Sequence, residues 1–178
     1  MKYIYNIPFI YLLAISFTIS SCSKEDTAPL ISGCTSVNAM NYNASANLDD
    51  GSCIIAYDIA QGLWNLNPDC EEISVPVIGS ISLNEQMPSS VTVQGAGNNT
   101  LYIELSGAEV TGIINNDGSF VVNNQTVSID MGLGPMDMNV SGDGNIYNAN
   151  SGQIDLTFSG TIQMIFPFST NCSMVLSK

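Results

Sequence analysis

Arginine and histidine are both absent from this 178-residue sequence, and Lys2, Lys24 and Lys178 are its only cationic side chains. Asp and Glu together number 16, so the formal net charge at pH 7 is -13. Proteins hold nucleic acids mainly through Lys and Arg on phosphate, so the composition argues against nucleic-acid binding. Without His there is no Ser-His-Asp or Cys-His machinery and no zinc site built on imidazole. The composition leaves three classes of function open: catalysis by carboxylates, binding of a hard metal ion, and ligand binding without catalysis.

The N-terminal apolar run is too short to be a transmembrane helix. It covers residues 7–19 and is interrupted only by Ser16 and Thr18, whereas a helix needs roughly 20 apolar residues to span a bilayer. Lys2 precedes it, as in the positively charged start of a secretory signal. Residues 1–21 are therefore predicted to be a signal peptide.

Residues 19–22 read Ile-Ser-Ser-Cys and resemble the lipobox of bacterial lipoproteins. The resemblance implies that Cys22 receives a diacylglyceryl group and acyl chains such as palmitate, and that residues 22–32 are the anchor and tether. The Ser-Lys-Glu-Asp of residues 23–26 resembles the surface-export tag of lipoproteins from Bacteroidota. Together these motifs imply a lipid-anchored outer-membrane protein that faces the cell exterior, with the periplasmic side left open as an alternative.

Four cysteines remain once Cys22 carries the lipid, an even number in an exported chain, so we expect disulfides. Three pairings are possible. We predict Cys34–Cys53 and Cys70–Cys172, because this pairing keeps each bridge inside one structural unit.

Residues 33–57 are predicted to form a small cysteine module. The segment contains Cys-Thr, Asn-Tyr-Asn and Asp-Asp-Gly-Ser-Cys blocks and resembles a thrombospondin type 3-like repeat of secreted Bacteroidota proteins. It has few apolar residues, so a disulfide and a bound ion would replace a core. The candidate calcium ligands are Asn41, Asn43, Asp49 and Asp50. The alternative is that these side chains only form turns with the backbone.

Residues 58–178 are predicted to form an all-β domain because apolar and polar residues alternate along them. Leu101 and Ile103, for example, alternate with Tyr102 and Glu104. No stretch has a convincing helical period. Turn residues separate the runs and indicate an antiparallel meander of about eight to ten strands. They lie at 95–99, 115–118, 123–124, 142–145 and 148–152.

Gly62-Leu63-Trp64 resembles the Gly-x-Trp signature at the start of lipocalins. The resemblance implies a lipocalin-like barrel, closed by a bridge from Cys70 to Cys172 in the last strand; a two-sheet β-sandwich is the alternative. Lipocalins place an arginine over that tryptophan, and this chain has none. A barrel of about eight strands is either filled by side chains or holds one small ligand. The candidate ligand-binding residues are Trp64, Phe120, Tyr102 and Tyr147.

Two further kinds of chemistry, copper binding and glycoside hydrolysis, each have a simpler alternative in the sequence. Met131, Met136 and Met138 could bind copper(I), but on strands they share the inward face, where methionine packs a core. A glycosidase would need two carboxylates facing one cleft. The available carboxylates mostly fall on the polar face or in turns, where solvated surface is the usual explanation; they are Glu104, Glu109, Asp130, Asp137, Asp143 and Asp155.

We therefore expect a surface-anchored lipoprotein that is a binding module and not an enzyme. Its ligand would be a small apolar molecule or an envelope component such as a surface glycan or protein. The alternatives are a structural or adhesion module without a small ligand, and a carboxylate-based glycosidase.

Overall fold

The computed structural model describes residues 28–76, 79–105, 107–130, 134–162 and 165–178. The predicted signal peptide, the predicted lipid-attachment site Cys22 and Met131 lie outside these residues. No helix in the described ranges is long and apolar enough to cross a membrane. The elements are β1 (Ser32–Gly33), β2 (Leu48–Asp49), α1 (Ala56–Ala60), β3 (Gly62–Cys70), β4 (Ile73–Val75), β5 (Gly79–Ile81), β6 (Ser90–Gly97), β7 (Thr100–Leu105), β8 (Ala108–Ile114), β9 (Ser119–Asp130), β10 (Pro135–Asn148), β11 (Ser151–Ile162) and β12 (Phe166–Ser177).

Eight antiparallel strands form a closed barrel in the order β10-β11-β12-β3-β6-β7-β8-β9. The predicted all-β barrel is therefore confirmed, and the β-sandwich alternative is wrong. Neighbouring strands follow one another along the chain, as a meander requires, and β3 closes the circle by pairing with β12. Inward positions along each strand are buried and outward positions are mostly exposed, which is the alternation that the sequence predicted.

Two of the predicted turns are wrong, because β9 and β10 run through them. Asn123 and Asn124 lie inside β9, where two residues face one on β10, so the pair forms a bulge. Gly142 and Gly144 lie inside β10. A side chain at Gly142 would collide with the backbone of Asp155, and one at Gly144 would collide with the ring of Phe120. These glycines allow close packing and do not mark a turn.

Both ends of the barrel are covered. The helix end carries α1 and the turns that join β6 to β7, β8 to β9, and β10 to β11. The strap end carries the segment between β3 and β6, which includes the β4–β5 hairpin. Ile73, Val75 and Leu83 of this strap are buried in the core. The described part of the barrel is therefore a packed, capped structure and not an open cup.

The small module lies against the helix end. Its two-stranded parallel sheet joins β1 and β2, and the Cys34–Cys53 disulfide closes it. Asn116 in the β8–β9 turn donates a hydrogen bond from its side-chain amide to the Asn38 side chain, at 3.1 Å. Met40 packs against the barrel core. The small module thus contacts the barrel at its helix end.

Both predicted disulfides are present. Cys70 and Cys172 occupy directly opposed positions in the β3–β12 pair, where they join the first barrel strand to the last. Both are buried, and Cys172 shares its inward face with Met174 and Leu176, as predicted.

We predict that the Cys70→Ala/Cys172→Ala double variant loses about 4 kcal/mol of unfolding free energy, because this bridge closes a loop of 102 residues. Denaturant unfolding followed by Trp64 fluorescence measures the loss. The matched control is Cys34→Ala/Cys53→Ala, whose bridge closes only 19 residues outside the barrel. Equal losses of barrel stability in the two variants would contradict the assignment of closure to Cys70–Cys172.

Candidate functional site

Trp64 forms the floor of the barrel interior at the helix end. Its side chain is fully buried, and its indole N–H donates a hydrogen bond to the Ala60 carbonyl oxygen at 2.7 Å. This bond ties the first barrel strand to the last residue of α1. The tryptophan therefore fixes the helix over the end of the barrel as well as filling the interior beneath it.

Lys178 supplies a cation over this tryptophan, in place of the arginine that the chain lacks. Its Nζ lies 4.4 Å from the centroid of the Trp64 ring. The same ammonium donates to the carbonyl oxygens of Ile59 and Gln61, both at 2.7 Å. Partial burial lowers the pKa of Lys178 from its ordinary 10.5. A single lysine thus binds the end of α1 and covers the ring face.

The space inside the barrel is small and apolar. A cavity of about 40 Å³ lies above Trp64. It has room for only a few water molecules, whereas pockets for drug-sized ligands are roughly 300–1,000 Å³. The structure therefore favours a largely filled interior over a ligand chamber of lipocalin size. The cavity is lined by Ala60, Trp64, Leu66, Val91, Val93, Leu101, Ile103, Leu105, Val110, Gly112, Phe120, Ile146, Ile154, Leu156, Met174 and Leu176.

Two of the four candidate ligand-binding residues lie at this cavity and two do not. Trp64 and Phe120 line it. The predicted interior placement of Tyr102 and Tyr147 is wrong, because their side chains are 37% and 56% exposed on the outer face. Tyr102 alternates with the inward Leu101, and Tyr147 follows the inward Ile146, so the strand period directs both rings outward.

A second and larger concavity lies on the outside of the barrel. We call it the outer groove; its volume is about 270 Å³, and it spans β6, β7 and the start of β8. In the strand register Tyr102 pairs with Gln94, and Glu104 pairs with Glu109. The groove therefore combines an aromatic ring, an amide, a hydroxyl and two carboxylates. Its lining residues are Thr92, Gln94, Tyr102, Glu104, Gly107 and Glu109.

The outer groove has no compensating positive charge. Like charges directly opposite each other on neighbouring strands are unfavourable. Lys178 is the sole cationic side chain in the described ranges, and it is bound to α1 at the helix end. The outer groove was not predicted from the sequence. The outward residues of three strands resemble ordinary solvated surface, and only the strand register shows that they lie side by side.

The remaining carboxylates are distributed over the barrel surface. Asp143 and Asp155 face each other across β10 and β11, and the Gln153 amide donates to both Asp155 oxygens at 3.1 and 3.3 Å. Asp130 accepts from the Gly134 backbone N–H at 3.0 Å. Among the described residues, no three or more Asp, Glu, Cys or His side chains are grouped as a metal site requires.

The four candidate calcium ligands all make hydrogen bonds to the backbone of the small module. The Asn41 amide donates to Ser52 and accepts from Ile54 N–H. The other three accept backbone N–H groups two residues further along the chain, in the turn geometry typical of Asn and Asp. The bonds of these three residues are the ones expected from the alternative of turns beside a disulfide, whereas the Asn41 bonds span 11 and 13 residues. Calcium binding stays a prediction. The donors are Ser45 N–H to Asn43, Gly51 N–H to Asp49 and Ser52 N–H to Asp50.

Two exposed aspartates have lowered pKa values for the same reason. A hydrogen bond from the Ser52 side chain, followed by one from its backbone, lowers the pKa of Asp50. The Ser119 hydroxyl and backbone N–H do the same to the pKa of Asp117 at the β8–β9 turn. Each carboxylate therefore stabilises the folded state at pH values above its pKa in the unfolded chain. This contribution is lost as the pH falls through the lower pKa of the folded state.

Comparison with known proteins adds little to this geometry. No protein-family model matches the chain, and no curated protein matches it. One similar solved structure is described as "Structure of EF1p2_mFAP2b bound to DFHBI". It is 8% identical, covers 69% of this chain and 96% of its own, and superposes with a TM-score of 0.46. At that level the likeness carries no argument about the ligand of this chain.

We predict that Lys178→Met lowers the free energy of unfolding by about 1–2 kcal/mol, since it removes two charge-assisted hydrogen bonds and the contact with the ring. Thermal or denaturant unfolding measures the loss, and the Trp64 emission should change in the folded state. Lys178→Arg is the matched control, because it keeps the cation and its donors and should retain most of the stability. Equal stability of wild type and Lys178→Met would contradict this role.

Proposed function

We propose that this chain is a surface-anchored lipoprotein of Bacteroidota type whose barrel binds its ligand on the outer face. The observation that carries the proposal is the contrast between the two concavities. The interior offers about 40 Å³, and the outer groove offers about 270 Å³ with polar and aromatic lining. The packed barrel then serves as a rigid support, and recognition falls to outward side chains.

The ligand best matched to the outer groove is a neutral surface glycan. The exposed ring of Tyr102 offers an apolar face to the C–H groups of a sugar ring. Gln94 and Thr92 can donate to and accept from hydroxyl groups, and Glu104 and Glu109 can accept from them. Anionic ligands are disfavoured, because the groove carries two carboxylates and no cation.

A small apolar ligand inside the barrel is the second candidate function. The observation in its favour is that the interior cavity is lined entirely by apolar side chains and Gly112. Its volume limits the ligand to a molecule smaller than benzene unless the core rearranges, since a cavity of about 150 Å³ is what binds benzene in an engineered core.

The glycosidase alternative has one geometric support, because Glu104 and Glu109 lie opposite each other in one groove. A glycosidase also needs a general acid in a partly buried, apolar setting. Both carboxylates are exposed on the barrel surface. We therefore propose binding and not hydrolysis at this site.

We predict that Tyr102→Ala weakens binding to neutral oligosaccharides about tenfold, or ~1.4 kcal/mol, because it removes the stacking surface of the groove. Titration followed by NMR shifts of the groove amides, with a panel of neutral hexose oligosaccharides, measures the effect. Tyr147→Ala is the matched control, since it also removes an exposed tyrosine but at the helix end. The proposal is wrong if no member of the panel shifts the groove amides, or if both variants bind equally.

We predict that Cys22→Ser releases the protein from the membrane fraction while both disulfides remain, because Cys22 is the one cysteine outside the two bridges. Fractionation with immunodetection measures release, and mass spectrometry of the non-reduced protein counts the bridges. Ser23→Ala is the control with an intact attachment site. Membrane retention of Cys22→Ser would refute lipid anchoring without bearing on the outer groove.

A further inference from the structure

The β8–β9 seam is the least complete junction in the barrel. The two strands contain 7 and 12 residues, yet their register includes only the pairs Ile113–Val121 and Ile114–Phe120. By contrast, β11 and β12 pair along 12 consecutive positions. The bulge at Asn123 and Asn124 lies just beyond the last of these two pairs, while β9 continues its register with β10 on both sides of it.

A glutamine side chain replaces the missing backbone pairing at this seam. The Gln125 carbonyl oxygen accepts from the Thr111 backbone N–H at 3.0 Å, and the Gln125 amide donates to the Thr111 carbonyl oxygen at 2.8 Å. The same oxygen accepts from the Thr111 hydroxyl at 3.2 Å. One primary amide thus makes both hydrogen bonds that a neighbouring strand would make to Thr111. We call this arrangement the Gln125 clasp.

The clasp lies directly outside the apolar cavity. Val110 and Gly112, the residues on either side of Thr111, both line the interior cavity, and so does Phe120 across the seam. Gly112 contributes no side chain to the wall at this point. A local separation of β8 from β9 would therefore open the cavity to the outside. It would break two backbone pairs and the side-chain bonds of Gln125, and it would expose part of the buried side chains of Val110 and Val122.

The two next shortest junctions are better secured, because β3–β6 and β6–β7 share four register pairs each. In the β3–β6 junction the Leu66 N–H adds a bond to the Ser89 carbonyl oxygen. At the helix end the Tyr57 hydroxyl accepts from the Gly97 N–H at 2.7 Å, which ties α1 to the end of β6. Among the strand junctions of the closed barrel, the β8–β9 seam therefore has the fewest register pairs.

We propose that the β8–β9 seam is a lateral gate, held shut by the Gln125 clasp, through which a small apolar molecule reaches the barrel interior. The gate goes beyond the proposed glycan binding at the outer groove and deepens the second candidate function, an apolar ligand inside the barrel. It requires no opening at the helix end or the strap end, both of which are covered. The ligand class is an uncharged apolar molecule of a few heavy atoms, because the cavity offers no polar partner.

The test uses xenon as the apolar probe and follows the Thr111 amide by hydrogen exchange. In Gln125→Ala we expect Thr111 to exchange about tenfold faster, since a loss of ~1.4 kcal/mol in local opening free energy is a factor of ten. The exchange of xenon between solvent and the cavity, measured by xenon NMR, should accelerate by a similar factor. Amides in the middle of β11 and β12 should keep their protection.

Gln153→Ala is the matched control, because it removes a glutamine that also makes side-chain bonds but lies between fully paired strands. It should leave both Thr111 exchange and xenon exchange unchanged. A second variant tests closure directly: Ile113→Cys/Val121→Cys joins an outward, directly opposed pair across the seam. Once oxidised it should slow xenon exchange, and reduction should restore it.

Three outcomes would overturn the gate. Xenon could fail to bind, its exchange rate could be the same in wild type and Gln125→Ala, or the oxidised cross-link could leave that rate unchanged. Oligosaccharide titration of the outer groove is read separately, at amides on β6 and β7. Failure of the gate is therefore distinguishable from failure of glycan binding.

Discussion

The pairing of β3 with β12 is the constraint on which the rest of the barrel depends. These strands lie at opposite ends of the domain sequence, and their pairing converts an open meander into a closed barrel without edges. Three independent contacts hold this junction. The Cys70–Cys172 disulfide lies near the strap end, six register pairs run between them, and Lys178 joins the end of β12 to α1 and Trp64 at the helix end. Closure in turn buries the inward side chains that form the core.

The parts of this fold that follow from local pattern were predictable. Period-two alternation identified the strands, and the Gly62-Leu63-Trp64 segment marked the first of them. The choice of the cysteine pairing that keeps each bridge inside one structural unit gave the correct disulfides. The small helix α1 was not predicted, because five residues are too few to show a helical period. The Lys178 contact was also missed. Its signal was available, since it is the one cation that follows the barrel strands, but the comparison with lipocalins directed attention to arginine alone.

The candidate site was less predictable than the fold because register decides it. Tyr102 and Tyr147 were chosen for their ring chemistry, although the alternation with Leu101 and Ile146 already directs both outward. Glycine and asparagine residues were equally ambiguous as signals of turns. Gly142 resembles a turn residue, but its small size is needed because the backbone of Asp155 lies against it. The pairing of Glu104 with Glu109 and the reach of Gln125 to Thr111 depend on three-dimensional register, which no local pattern contains.

The shortage of cations explains how the remaining stability and recognition are distributed. Lys178 is already bound at the helix end, so ion pairs cannot organise the described surface. Hydrogen bonds of side-chain amides and hydroxyls join its segments instead. Examples are the bonds between Asn116 and Asn38, between Thr111 and Gln125, and between Ser119 and Asp117. These hydrogen bonds have neutral donors and neutral or anionic acceptors, so they need no cationic partner. The outer groove has the same chemistry, because its amide, hydroxyl and carboxylates are suited to hydroxyl-rich ligands. A surface of this kind repels anions and other acidic bodies but remains complementary to neutral polar ligands, and this selectivity follows directly from the amino-acid composition.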